Sequence, residues 1–312
     1  MKKRVAVLMG GTSAERPVSL RSGEAVYQAL LQAGYDAYKI DVDANVARKL
    51  LEDRPDVAFI ALHGPLGEDG TVQGLLDLMG IPYTGPGVLA SALGINKKMT
   101  KKILCFEGIP TAPFVLVSQS EVEAKGGPAI VEKIVSSLSL PVVVKPTTQG
   151  STIGVSFVHK EMDILPALEE AFKYGPEVLI EKMIKGTEVT ASIMGEDPPI
   201  ALPLIEIYSA SGVYDYHSKY TPGMSDHIIP PRIPEEWQER AKEACLRAYI
   251  ALGCRGLSRV DCMVDEEGNP YVLEVNTAPG MTATSLFPDA ARSVGIDFPE
   301  LCSRLVEMAR NG

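Results

Sequence analysis

Asp261, Glu274 and Asn276 place hard oxygen ligands, and Arg259 a permanent positive charge, within one short stretch of a 312-residue chain. Two β-rich runs, Ser258 to Val264 and Pro270 to Val275, flank a turn cluster at Gly268, Asn269 and Pro270, and the whole reads as a β-hairpin. With Glu267 and Gly268 at the tip, Asp261 lies opposite Glu274 and Arg259 opposite Asn276. Strand side chains alternate faces, so these four groups share one face, while Val260, Cys262, Val264, Leu273 and Val275 form the other, fit for a core. Charges sealed away without partners lose more solvation than burial returns. Such ligands suit Mg²⁺, which keeps waters and shares substrate phosphates, and Arg259 beside it would hold developing negative charge. An exposed hairpin with a surface ion pair is the other reading of these residues alone. Pro279-Gly280-Met281-Thr282 runs into Ser285-Leu286-Phe287, and backbone N–H groups near Gly280 can face an oxyanion.

Three further stretches carry chemistry. Lys145-Pro146-Thr147-Thr148-Gln149-Gly150-Ser151-Thr152-Ile153-Gly154 stands at a strand-turn-strand junction, with small residues, hydroxyls and a lysine point charge suited to covering phosphates. A plain glycine hairpin is the alternative, and G-x-x-x-x-G-K-[ST] is absent from the chain. Glu181-Lys182-Met183-Ile184 ends a strand before Gly186 and Glu188, a place where adenine and ribose edges can be read and a ring packed. Gly212 to Met224 is polar, aromatic and rich in turn residues, and reads as a lid.

The elements that position these groups follow from periodicity. The first hundred residues alternate strand and helix: Val5 to Met9, a helix from Ser19 to Ala33, Tyr38 to Val42, a helix near Val46 to Glu52, Val57 to Leu62, a helix near Thr71 to Met79, and a fourth strand at Ile81 to Thr84. This predicts an open parallel α/β sheet with ligands outside the strands' carboxyl ends. Those ends carry Gly10-Gly11-Thr12-Ser13-Ala14-Glu15 and His63-Gly64. Glu15 can meet a substrate ammonium or merely favour a helix N-terminus, and His63 can serve the site or the structure. Gly85 to Ala90 formally matches a dinucleotide fingerprint, the only support for a nicotinamide-dependent oxidoreductase; its internal proline and its place after the fourth strand favour a helix-entry loop.

A second region starts near Asn96, a cap for the helix Lys97 to Phe106. It continues through Thr111 to Val117, a helix from Ala129 to Leu138, Val142 to Lys145, Gly154 to Val158, a helix from Met162 to Lys173, and Glu177 to Met183. The last third reads as strands at Glu188 to Met194 and Ile200 to Tyr208, the lid, a helix from Glu235 to Leu252, the hairpin, and a helix near Phe298 to Ala309. The expected division is 1–96, 97–185 and 186–312.

A net charge of -10 argues against a nucleic-acid partner or an anionic membrane surface, so an anionic ligand must be held by local cations. Five cysteines without a C-x-x-C fit neither a zinc site nor a disulfide framework and point to a reducing cytoplasm. The apolar run Val5 to Met9 is too short for a signal peptide, and no run approaches a spanning helix.

In order, Gly10 to Glu15 with Val18-Ser19, Ala61-Leu62-His63-Gly64 with Gly67 to Thr71, Tyr83-Thr84-Gly85, Lys145-Pro146 with Gly150-Ser151, Asp215-Tyr216 with Lys219-Tyr220, Arg259-Val260-Asp261, and Glu274-Val275-Asn276-Thr277 with Pro279 to Thr282 resemble the D-alanine:D-alanine ligases of the ATP-grasp superfamily. Departures are Thr152, Ser218, Ser225 and Pro231, all in the flap or around the lid. The resemblance implies a mixed α/β chain, an ATP-grasp fold preceded by an open parallel α/β domain. It also implies an ATP-dependent ligation of two D-alanines through an acyl phosphate, for peptidoglycan precursors. Asp261, Glu274 and Asn276 would then hold two Mg²⁺ ions, with Mn²⁺ as a substitute. Lys97, Lys145, Lys219 and the Ser151 flap would grip ATP phosphates, and Glu181, Lys182, Met183, Ile184 and Glu188 would seat the nucleoside. Glu15 would hold the first D-alanine's ammonium in a network with Ser151 and Tyr220, Arg259 and the Gly280 N–H would form the oxyanion site, and Ser285 and Leu286, with His63 nearby, would fix the second D-alanine. A homodimer is the family expectation. A D-alanine:D-lactate ligase and a non-catalytic nucleotide-binding regulator are the competing readings.

Overall fold

In the computed structural model, residues 2–150, 153–209, 225–282 and 284–311 are described. The first sheet is parallel, in the order β2-β1-β3, with β1 (Arg4–Gly10), β2 (Asp36–Val42) and β3 (Val57–Ile60). Val5, Ala6, Val7 and Leu8 are fully buried because helices cover both faces of a parallel sheet. Helix α1 (Arg16–Gln32) begins at Arg16, ahead of the expected Ser19, since Pro17 presets the backbone for a first turn. Helices α2 (Val46–Asp53) and α3 (Thr71–Met79) fall where periodicity puts them. The expected fourth strand at Ile81 to Thr84 is not formed. Only Tyr83 bridges, to Ala58 and Arg310, and the stretch holds Pro82, which lacks an N–H, and ends at Gly85. Helix α4 (Val88–Ile95) starts after Gly87, which makes Gly85 to Ala90 a helix-entry loop.

Helix α5 (Lys97–Phe106) leads into the second sheet and is capped by Asn96, whose Oδ1 accepts the Met99 N–H at 3.1 Å. That sheet is antiparallel, in the order β4-β7-β5-β6, with β4 (Phe114–Ser118), β5 (Val142–Pro146), β6 (Ser156–Val158) and β7 (Glu177–Lys182). β4 starts later than Thr111 because Pro110 and Pro113 interrupt the run. Helices α6 (Gln119–Lys125), α7 (Gly127–Leu138) and α8 (Ile164–Phe172) belong to this region, and α7 and α8 send Ile130, Ile134, Ile164 and Leu168 into one core with Val142, Val144, Val178 and Ile180. The alternate residues Lys145, Leu179 and Glu181 therefore face the other way.

The third sheet runs β11-β10-β8-β12-β13, with β9 on β8. Its strands are β8 (Gly186–Met194), β9 (Ile200–Ala201), β10 (Ile205–Ser209), β11 (Ser225–Ile228), β12 (Leu257–Asp265) and β13 (Pro270–Asn276). Pro203 breaks the expected run from Ile200 to Tyr208 into β9 and β10. Helix α9 (Glu235–Ala251) packs on β12 and β13. Helix α10 (Leu286–Ser293), which periodicity did not reveal, and helix α11 (Phe298–Glu307) return to the first sheet, where Leu286, Phe287, Leu301 and Leu305 share a core with Val5, Val7, Val26 and Leu30.

The β12–β13 hairpin pairs Arg259 with Asn276 and Asp261 with Glu274, the register read from sequence. A bulge after Asp261 then pairs Cys262 with Val272, so Val272, fully buried, takes the core position expected for Leu273.

Candidate active site

The acidic face of the hairpin is a web of ion pairs. Arg259 donates from Nε to Asp261 Oδ1 at 2.9 Å and from its terminal nitrogen to Oδ2 at 2.8 Å. Thr190, opposite Asp261 on β8, adds its hydroxyl to Oδ1 at 2.6 Å. Lys97 Nζ stands 3.0 Å from Glu274 Oε2, and Asn276 Oδ1 accepts the Ala278 N–H at 3.1 Å. Among the described residues no three His, Cys, Asp or Glu side chains cluster as a metal set. Two carboxylates and an amide oxygen on one face still match a cation that draws its remaining ligands from water and phosphate, and here Arg259 and Lys97 supply the balancing charge.

Beside this face, Lys97 also donates to the Gln149 carbonyl at 2.9 Å, and its backbone N–H reaches Thr147 O at 2.8 Å, so the start of α5 is tied to the flap. Glu181, 2% exposed, is held between Lys145 and Lys101. Burial opposes the Lys145 charge, but Glu181, with Glu274 and Glu188 nearby, outweighs it and lifts the pKa above the ordinary lysine range. Burial likewise opposes ionisation of Glu181, and the two lysines override it, so its pKa falls below the usual carboxylate range. Met183 gives its backbone N–H to Pro141 O at 3.1 Å, and Lys182 gives its own to Pro113 O at 2.8 Å. Met183, Ile184 and Glu188 are half-buried along the same edge.

At the carboxyl end of the first sheet, Glu15 lies between two glycines. A Cβ at Gly64 would stand 2.8 Å from Glu15 Oε2, and one at Gly150 would stand 3.5 Å away. Glu15 is the N-cap residue of α1, and its side chain makes no cap bond there. His63, 7% exposed, lies within 3.1 Å of Ser22 Oγ through Nε2 and within 3.1 Å of Ala278 O through Nδ1, with Glu68 Oε1 3.5 Å from Nδ1. A carbonyl only accepts, so Nδ1 carries a proton; in the neutral ring Nε2 then accepts from Ser22, whose oxygen receives the Met281 N–H at 3.4 Å. His63 thus clamps the turn from Ala278 to Met281 onto α1. A Cβ at Gly280 would lie 3.0 Å from Ser285 Oγ, and that hydroxyl accepts the Thr282 N–H at 3.0 Å. Leu286 is 5% exposed in the core, so only its backbone N–H, in the first turn of α10, can face a ligand.

Ser151, Thr152, Ser218, Lys219 and Tyr220 lie outside the described residues, as does the side chain of Ser225. Three contributors escaped the sequence reading. Thr190 needed the β8–β12 register, Ser22 needed the fold of α1 against the C-terminal turn, and Lys101 stands one helical turn after Lys97, an i, i+4 signal that was available.

Two antiparallel sheets meeting at a lysine-lined, acid-faced junction, preceded by a parallel α/β sheet, form an ATP-grasp fold. The family models "D-ala D-ala ligase N-terminus" and "D-ala D-ala ligase C-terminus" match residues 43–86 and 103–307. A D-alanine–D-alanine ligase of Pelotomaculum thermopropionicum is 60% identical over 309 residues, covering 99% of this chain and 97% of the relative. A D-alanine–D-alanine ligase from Bacillus anthracis, solved complexed with ATP, superposes with a TM-score of 0.84 at 36% identity, covering 98% of this chain and 97% of that one. The VanG D-Ala:D-Ser ligase from Enterococcus faecalis does so with 0.84 at 32% identity, covering 99% of each. The chain belongs to the D-alanine–D-alanine ligase family.

Proposed function

We propose that this chain is an ATP-dependent ligase that joins two D-alanines through an acyl phosphate, for peptidoglycan precursor synthesis in the cytoplasm. The observation that carries this reading is the convergence of Lys97, the flap carbonyls and Glu274 at one junction, next to the Arg259–Asp261 pair. Lys97 and Lys145 grip the triphosphate, and Glu181, Lys182, Met183, Ile184 and Glu188 seat the nucleoside. Asp261, Glu274 and Asn276 would hold Mg²⁺, which when bound neutralises triphosphate charge that would repel an incoming carboxylate.

Glu15 holds the ammonium of the first D-alanine so that its carboxylate oxygen attacks the γ-phosphorus and ADP departs. The amine of the second D-alanine, placed through its carboxylate by Ser285 and the Leu286 N–H, attacks the acyl carbon. Arg259 and the Gly280 N–H face the oxyanion of the tetrahedral intermediate, which expels phosphate as the amine sheds a proton. Orientation dominates because two small substrates offer little surface, and good alignment can be worth about 7 kcal/mol or more. Ser151, Lys219 and Tyr220 complete the flap and lid in this scheme. The chain divides as 1–96, 97–185 and 186–312, and works as a homodimer. Among the described residues no helix is long and apolar enough to cross a membrane.

The likeness to a D-Ala:D-Ser ligase favours one second reading, in which D-serine is the second substrate. ADP and phosphate release with D-alanine alone, D-alanine plus D-serine, D-alanine plus D-lactate, and L-alanine separates them. Release dependent on D-alanine alone supports the dipeptide reading. Release only with L-alanine, or with no amino acid, would end it.

A further inference from the structure

Glu181 has two carboxylate oxygens and two lysines, Lys101 on Oε1 and Lys145 on Oε2, in a pocket where Glu181 is 2% exposed. One anion does not need two cations. The lysines differ in freedom. Lys101 is 0% exposed, donates to Thr111 Oγ1, and lies 5.9 Å from the Phe114 ring centroid. Thr111 gives its own hydroxyl proton to Val272 O at 2.6 Å, so its oxygen accepts from Lys101. Glu181 and Thr111 are the polar partners of the Lys101 ammonium; burial lowers its pKa, and the Glu181 carboxylate opposes that. Lys145 is on a strand that runs into the flap, its side chain is 12% exposed, and Glu274 and Glu188 add to its field from the acidic side. Lys101 is therefore the fixed partner and Lys145 the movable one.

We infer that Lys101 is a positioning residue for nucleotide binding: by remaining on Glu181, it lets Lys145 leave that carboxylate for a phosphate without stranding a buried charge. A buried carboxylate that loses its partner is strongly destabilised. Without Lys101, each binding event would have to break the sole ion pair of Glu181. The inference rests on the proposed role of Lys145 as a phosphate-gripping cation.

The test is a cycle of Lys101→Met and Glu181→Gln in the full chain, with ATP affinity read by calorimetry without amino acid, then KM for ATP and kcat at saturating D-alanine. Lys101→Met is expected to weaken ATP binding and raise its KM by roughly tenfold or more while kcat moves less than about threefold. In the Glu181→Gln background, where no anion detains Lys145, the same lysine change is expected to cost less than about threefold. The double variant keeps Lys145 as the one charge of the three, partly exposed and in the field of Glu274 and Glu188, so it serves even where the single variant melts below assay temperature, with Lys101→Gln as a second route to the single change. Equal losses in both backgrounds would mean a merely structural lysine, and an ATP affinity within about twofold of the parent would show that Lys145 does not need it; either overturns the inference. A parent chain that binds ATP but joins no amino acids sinks the ligase reading alone, whereas one that binds no ATP sinks both.

Discussion

Arg259 and Asp261, two positions apart on β12, close a two-pronged ion pair with their side chains 11% and 7% exposed. The pair fixes where the guanidinium points, and the same carboxylate is the one facing Glu274 across the hairpin. Asp261→Ala would break this pair and remove an oxygen from the acidic face together. Asp261→Ala and Glu274→Ala are each expected to lower ADP release by about three orders of magnitude, on the scale of losing a key electrostatic group. Turnover unchanged in both variants would reject the cation assignment. Asp261→Ala also removes the two-pronged partner of a largely buried guanidinium, and a stability loss of about 3 kcal/mol is expected by urea titration.

Glu15 and Gly64 make a second pair that can be tested from either side. Glu15→Gln removes the charge proposed to meet the first substrate's ammonium, and a charge-assisted bond is worth about 1.5–3 kcal/mol, so KM for the first D-alanine should rise about tenfold or more. Gly64→Ala should raise the same KM, because its Cβ would crowd Glu15 Oε2 at 2.8 Å, and should destabilise the chain by about 1–2 kcal/mol, since Gly64 sits at φ +75. Steady-state titration of D-alanine at fixed ATP checks both. A KM that stays at the parent value in both variants removes Glu15 from the amino-acid pocket.

Ser22 links His63 to the Met281 N–H, a relay that sets the turn carrying Gly280. Ser22→Ala strands a buried ring nitrogen and an amide, at an expected folding cost of about 1–3 kcal/mol. The KM for the second D-alanine should rise while that for ATP stays put. Equal shifts in both constants would mean general loosening instead.

Glu206 and Arg232 give the pH prediction. Burial raises the Glu206 pKa, but the Arg232 side chain and backbone N–H, bonded to Oε1 at 2.6 Å and Oε2 at 2.8 Å, bring it below the ordinary carboxylate value. A depressed folded pKa means that the stabilisation is complete above the unfolded pKa, about 4.3, and fades as pH falls through the folded value. In Arg232→Leu burial prevails and the pKa turns upward. The difference in Tm between parent and variant should be widest near neutrality and narrow toward about pH 3. A gap independent of pH would assign the effect to packing.

The β12–β13 hairpin was legible because alternation and turn chemistry act locally, and its acidic face needed no tertiary knowledge. The core side of β13 was not, because the bulge after Asp261 changes the phase of every residue from Val272 toward the turn while leaving Glu274 opposite Asp261. Ser118 and Glu121 carried a capping signal for α6 that apolar periodicity hid in a polar seven-residue helix. Helix α10 was missed because Pro288 interrupts an apolar run that begins as a turn. The site residues Glu15, Lys97 and Lys145 were legible as types at strand or helix ends. Their companions Thr190 and Ser22 were not, since each depends on which distant segment lies opposite.

Leu301 and Leu305, close to the C-terminus, complete the same apolar core as Val5 and Val7, and Tyr83 bridges to Arg310. During translation the opening parallel sheet must wait, partly uncovered, until the closing helix has left the ribosome. The parallel sheet is thus made well before the helix that seals it, and a chain cut before Leu301 would leave it sticky.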